Sequence, residues 1–300
     1  MYLARRFSLV VIVLLPLLLG GCGQSVEPMA VLESMAQSMS QVNTTSFAAD
    51  LELTGAIEGP VAGELTRLTV SAQGRADLTD REQLKYIVDL LVRGSNATED
   101  TRVSAQVRAF SDYNYFRIVD ISLPLGLPFS LVADSQWYQI SNPDANEDSH
   151  VLGSRAWLTN SEIEAIRELV SASQIWVADS VLPDDTVNGF RAYHLTAHLD
   201  PMRLERFLAS LDASTHNKLE LDSQRLTTIL LGHTYHLWVT KRDHHLSRLA
   251  VDGFYLNAAG DQVDFGVTIN LSAFNVPVSI SRPTNTRDFD INTLFGLPSR

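Results

Sequence analysis

Phe47-Ala48-Ala49-Asp50-Leu51-Glu52-Leu53-Thr54-Gly55-Ala56-Ile57-Glu58 alternates residue by residue. Phe47, Ala49, Leu51, Leu53, Gly55 and Ile57 face one way, and Ala48, Asp50, Glu52, Thr54 and Glu58 face the other. One dry and one wet face mark a strand of an antiparallel sheet packed on a single side. The pattern recurs in Leu68, Val70, Ala72, Gly74, Ala76 and Leu78 against Arg67, Thr69, Ser71, Gln73, Arg75 and Asp77. It returns in Val103, Ala105, Val107 and Ala109, and again in Val263, Phe265, Val267, Ile269 and Leu271. Tyr113–Ile121, Trp137–Ile140, Ile175–Val181, Val187–Leu199, Leu226–Thr240 and Leu246–Leu256 are predicted as further strands.

Helices interrupt this series. Pro28 suits a first helical turn, and Met29, Leu32, Met35, Ala36, Met39 and Val42 follow at helical spacing. Asp200-Pro201 opens another helix carrying Leu204, Phe207, Leu208 and Leu211, and Thr159 or Ser161 caps a third with Ile163, Ile166 and Leu169. Asp184-Asp185 beside Pro183 is predicted as a turn. Leu123-Pro124-Leu125-Gly126-Leu127-Pro128-Phe129 is too apolar for a solvated loop, so it either packs over the sheet or lips a cavity.

At the N-terminus Arg5 and Arg6 precede the apolar run Leu9–Leu19, and Leu19-Gly20-Gly21-Cys22 closes it. The run is shorter than the roughly 20 residues a transmembrane helix needs. The four residues resemble the lipobox of bacterial lipoproteins. That resemblance implies cleavage before Cys22, which becomes the mature N-terminus, and its acylation by the lipoprotein-processing enzymes; an uncleaved anchor or plain secretory leader is the competing reading. The expected organisation is a signal peptide at 1–21, a lipidated tether at 22–27 and a single domain at 28–300. The expected location is extracytoplasmic, on the outer leaflet of the cell membrane or on an outer membrane.

Cys22 is the only cysteine among 300 residues, so once lipidated it leaves no thiol for a disulfide or a nucleophile. Losing Arg5 and Arg6 takes the formal charge from −12 to −14. With no basic run, the chain is not expected to bind nucleic acid or to carry a polybasic membrane signal, leaving the acyl chains as the membrane attachment. No nucleotide-binding glycine loop, nucleophile elbow or zinc-protease motif occurs, so no enzyme activity and no cofactor are expected. His194 and His198 share a strand face but stand about 13 Å apart, too far to ligate one ion, and His244-His245 falls in a predicted turn; no metal is expected.

The helix-to-strand passage Val42–Gly55 also carries a family resemblance, as do Trp137-Tyr138, Val187–Leu195, Trp238–Leu249 and the closing stretch Leu271–Ile280 before Pro283. These stretches resemble the LolA/LolB and LppX/LprG-type lipoprotein carriers. The resemblance implies an α+β fold in which a strongly curved antiparallel half-barrel is closed by helices over its concave apolar face. It further implies binding or transfer of a lipid, lipoglycan or acylated protein; the family has no contact signature to carry over residue by residue, and the dry strand faces and the apolar 123–129 stretch offer Leu53, Val70, Ala72, Ala105, Val107, Leu125, Leu127 and Phe129 as the expected cavity lining. The alternative is a structural or protein-interaction envelope lipoprotein whose core is filled by its own side chains.

Overall fold

A computed structural model describes residues 26–59, 63–80, 84–96, 98, 100–122, 136–141, four positions between 162 and 169, 174–215, 223–257 and 259–289. Cys22, Leu125, Leu127 and Phe129 lie outside them, as does almost all of the helix expected after Ser161. Among the described residues the order is α1 (Pro28–Ser40), β1 (Thr44–Gly59), β2 (Gly63–Asp77), β3 (Lys85–Ser95), β4 (Asp100–Ala109), β5 (Tyr113–Ser122) and β6 (Trp137–Ser141). There follow β7 (Trp176–Val187), β8 (Phe190–Leu199), α2 (Pro201–Ser214), α3 (Ser223–Leu230), β9 (Tyr235–Thr240), β10 (Leu246–Leu256), β11 (Gln262–Ser272) and β12 (Thr286–Asp288).

All 12 strands form one sheet in the order β12-β6-β5-β4-β3-β2-β1-β11-β10-β9-β8-β7. Two meanders, β1–β6 and β7–β11, meet at the β1–β11 ladder, where Phe47 faces Leu271 and Leu53 faces Phe265. Only the β12–β6 pair is parallel, so the sheet is mixed.

The half-barrel expectation is overturned here. The edge strands β7 and β12 do not pair, and the sheet is open and uncurled. Curvature needs bulges that bend the strands at matched positions. The ladders β2–β3, β3–β4, β1–β11 and β10–β11 instead run without a register shift, and the shifts fall in the flanking ladders and near the tip of β1. The resemblance to the LolA/LolB and LppX/LprG-type carriers therefore fails at its defining element.

Local chemistry explains the pieces. Pro28 occupies the first turn of α1, whose buried Val31, Leu32 and Met35 settle onto Leu195 and Ala197 of β8 and Leu237 and Val239 of β9. Asp200 caps α2 by accepting the Arg203 N–H at 2.9 Å, and Leu204 and Leu208 pack with Leu199, Tyr235, Val251 and Phe265. Residues 226–230, expected as strand, instead belong to α3. There Leu226, Ile229 and Leu230 recur at helical spacing against the α2 cluster, and Gly232 at φ +81° follows the helix end. The Asp184-Asp185 pair sits inside β7, absorbed by a register shift between Leu182 and Asp185, rather than in a turn.

Gly74 shows how closely the inner face is packed. A Cβ there would stand 2.2 Å from the Ile87 carbonyl oxygen and 2.7 Å from the Phe47 ring. The chain after β11 straps the end of the sheet: Asn275 donates its N–H to Thr44 O at 2.9 Å, Ile280 packs on Phe110, Tyr115 and Trp137, and Arg282 pairs with Asp112 at 2.8 Å.

Candidate functional site

The described cavity candidates share the helix-bearing face of the sheet, but among the described residues they do not enclose a space. Leu53 faces Leu68 and Phe265 and joins the core beneath α2 and α3. Val70 faces Leu51 and Val92, Ala72 faces Ala49 and Leu90, Ala105 faces Leu90 and Ile118, and Val107 faces Val88 and Phe116. They make a continuous apolar patch on an open sheet, and neither described hollow includes any of them. The carrier reading falls with the curvature it needed.

The helix-covered half of that face is filled by side chains. Leu195, Leu237, Val239, Val263 and Leu204 are fully buried, and Trp176 meets Tyr235 edge-on at 4.9 Å. The Tyr235 hydroxyl donates to Leu230 O at 2.8 Å, and burial pushes its pKa up to about 12. The methionine stripe of α1 serves this packing: Met29 and Met39 lie against the cluster, and Met29 Sδ accepts the Ala178 N–H at 3.4 Å.

One apolar hollow, of 260 Å³, opens at the end of the sheet, between the β7–β8 turn, the β9–β10 turn and the exit of β11. Asn188 and Gly189, both at positive φ, make the tight turn that Asn-Gly favours and leave Phe190 53% exposed. Across the hollow, Ala273 and Asn275 at positive φ turn the chain so that Phe274 stacks on His245 at 4.4 Å, while Val276 stays 51% exposed. Val187 and Leu271 line the floor, with Thr240, Asp243 and Ser247 on the polar side. Burial holds the His245 pKa below its ordinary value, with neighbouring His244 acting the same way against Asp243. Beside the hollow, Asp184 binds Arg191 at 2.9 Å and also Lys241, whose ammonium lies over the Tyr193 ring.

On the opposite face, strand pairing brings histidines together. His194 stacks on Trp238 at 4.3 Å and meets His236 nitrogen to nitrogen at 2.9 Å, and Trp238 donates its indole N–H to Asp185 at 3.1 Å. His198 goes instead to Asp179 at 2.7 Å. Among the described residues no group of three or more histidine or acidic side chains is arranged to hold a metal ion.

The edges of the sheet are poor templates for an added strand. β7 carries Pro183, Asp179, Asp184, Asp185 and two register shifts, while β12 has three residues.

No protein-family profile and no curated protein matches this chain. Among solved structures, a chain of the MucA/MucB complex of Pseudomonas aeruginosa is similar at 11% identity and a TM-score of 0.26, over 83% of this chain and 58% of that one. A β-barrel-like protein of a domain of unknown function from Brucella abortus is similar at 9% identity and 0.32, over 77% of this chain and 98% of that one. A porin-like protein from Bacteroides uniformis is similar at 10% identity and 0.20, over 74% and 96%. At these values none bears on what the chain does.

Proposed function

We propose that the chain is an extracytoplasmic lipoprotein, held to its membrane by acyl chains on Cys22, that works as a protein-interaction module without covalent chemistry. The observation that carries this reading is the open sheet whose helix-covered half is filled by fully buried Leu195, Leu204, Leu237, Val239 and Val263. With its edges blunted and its core occupied, the chain meets a partner through its surface. The end hollow is the favoured contact, because Phe190 and Val276 expose large apolar area beside a concave, mostly apolar lining. The matching partner is a protein segment offering one or two large apolar side chains, with donors for the Asp243, Thr240 and Ser247 side.

A photo-crosslinking phenylalanine analogue placed at Phe190 in the full chain, in its own cells, tests this. One discrete protein adduct is expected, lost on Val276→Asp and absent when the analogue replaces Phe254, which is equally exposed elsewhere. No adduct, or the same adducts from both positions, would overturn the contact. Anchoring is tested separately: labelled palmitate should be incorporated by the wild type and absent from Cys22→Ala, and labelling that survives the substitution removes the anchor.

A further inference from the structure

Three arginines that are scattered in the sequence meet on the outer face of β2, β3 and β4. Arg93 stands directly opposite Arg102 in the β3–β4 ladder. Thr69 is opposite Arg93, and Arg67 is opposite Ser95, which makes Arg67 a diagonal neighbour of Arg93. Arg67 reaches Glu52 at 2.7 Å and Arg102 reaches Asp120 at 3.4 Å. Arg93 has no ion pair or hydrogen bond among the described residues. Around the three lies a hollow of 410 Å³ that is also lined by Thr69, Ser95, Thr101 and the carboxylate-bearing Asp100.

The ion pairs account for Arg67 and Arg102, but no described contact accounts for Arg93 opposite Arg102. Like charges directly opposite in a ladder are destabilising, and the chain as a whole carries −12. A guanidinium binds an oxyanion through a fork of N–H donors, and a single carboxylate has two oxygens, enough for one fork. Arg67 and Arg102 each give one donor to a carboxylate on the flanking strand and keep others free, and Arg93 keeps its whole fork, so an anion with more oxygens than a carboxylate can take Arg93 and the free donors beside it. We propose that Arg67, Arg93 and Arg102 form a binding site for a phosphate group, with Arg93 its principal ligand. The phosphate comes either from a free anion or from a lipid headgroup at the membrane surface.

The test titrates the full acylated chain, in uncharged detergent at low ionic strength, with inorganic phosphate and separately with glycerophosphoglycerol, a headgroup without its chains. Saturable heat of binding to at least one is expected; tighter binding of the first identifies a free anion as the source, of the second a headgroup. Arg93→Gln should weaken binding about tenfold or more, the loss of charge-assisted hydrogen bonds. Arg93→Lys, which keeps the charge but not the fork, should fall between. Arg75→Gln, at the far end of β2, should change affinity less than about twofold. Unfolding midpoints of the variants establish that they fold. Absence of saturation by ~10 mM with both probes, or equal weakening by Arg93→Gln and Arg75→Gln, overturns the site.

Discussion

Leu237→Ala probes whether the helix-covered core is filled. Leu237 is 0% exposed, faces Leu195 on β8 and Leu249 on β10, and shares its cluster with Val31, Leu32 and Met35 of α1. Truncation removes three buried carbons, and at ~0.8 kcal/mol each the transfer loss is about 2.4 kcal/mol. The void left behind adds up to ~24 cal/mol per Å³ that does not collapse. Met29, Met35 and Met39 are close and adaptable enough to recover part of it. The expected destabilisation is therefore about 2.5–4 kcal/mol. Denaturant unfolding checks it, with an unchanged slope establishing that the midpoint shift reports stability alone. A loss below ~1 kcal/mol would mean that Leu237 borders space already empty or occupied by a guest, and the filled-core argument would fail.

Gly74→Ala should cost more than about 2 kcal/mol, because the new methyl meets backbone at Ile87 as well as the Phe47 ring; in a double-mutant cycle its cost should shrink only in part when measured in a Phe47→Ala background. Asp200→Ala should remove about 1 kcal/mol by stripping the cap from the first turn of α2, seen as a lower thermal midpoint. Burial first, and His236 second, hold the His194 pKa below its ordinary 6.5, with Asp185 opposing them. The unfolded chain then takes up this proton more readily than the folded one, so stability is full above pH 6.5 and falls as pH drops through the folded value. His194→Gln should flatten that acid limb, and an unchanged pH profile of the unfolding midpoint would remove His194 from it.

The strand alternation of β1, β2 and β4 and the proline and aspartate that open α1 and α2 are local signals, and each stands where its residues point, whereas the strand expected from Val187 begins only at Phe190, after the Asn188-Gly189 turn. Residues 226–230 misled because Thr227, Thr228 and Ile229 are β-branched; only their packing against α2 makes them helical. Openness of the sheet was not legible, since curvature depends on where register shifts fall between strands such as β1 and β11 that lie some two hundred residues apart. His194 and His236, and Arg67, Arg93 and Arg102, were hidden from one another for a related reason, each lying on a different strand whose register the sequence does not state. A one-residue alternation tells which face a side chain takes, while the register that chooses its neighbour is set by the whole ladder. The apolar patch at Val70, Ala72, Ala105 and Val107 was thus correctly placed on one face, and the enclosed space inferred above it was not.

Native mass spectrometry of the chain purified from its own cells, released gently from detergent, tests the central claim most directly. A filled core predicts the mass of the polypeptide with any covalent modification and nothing more, with solvent extraction yielding no stoichiometric lipid. A non-covalent lipid or lipoglycan retained one to one, and lost on Leu53→Trp or Val70→Trp, would contradict it.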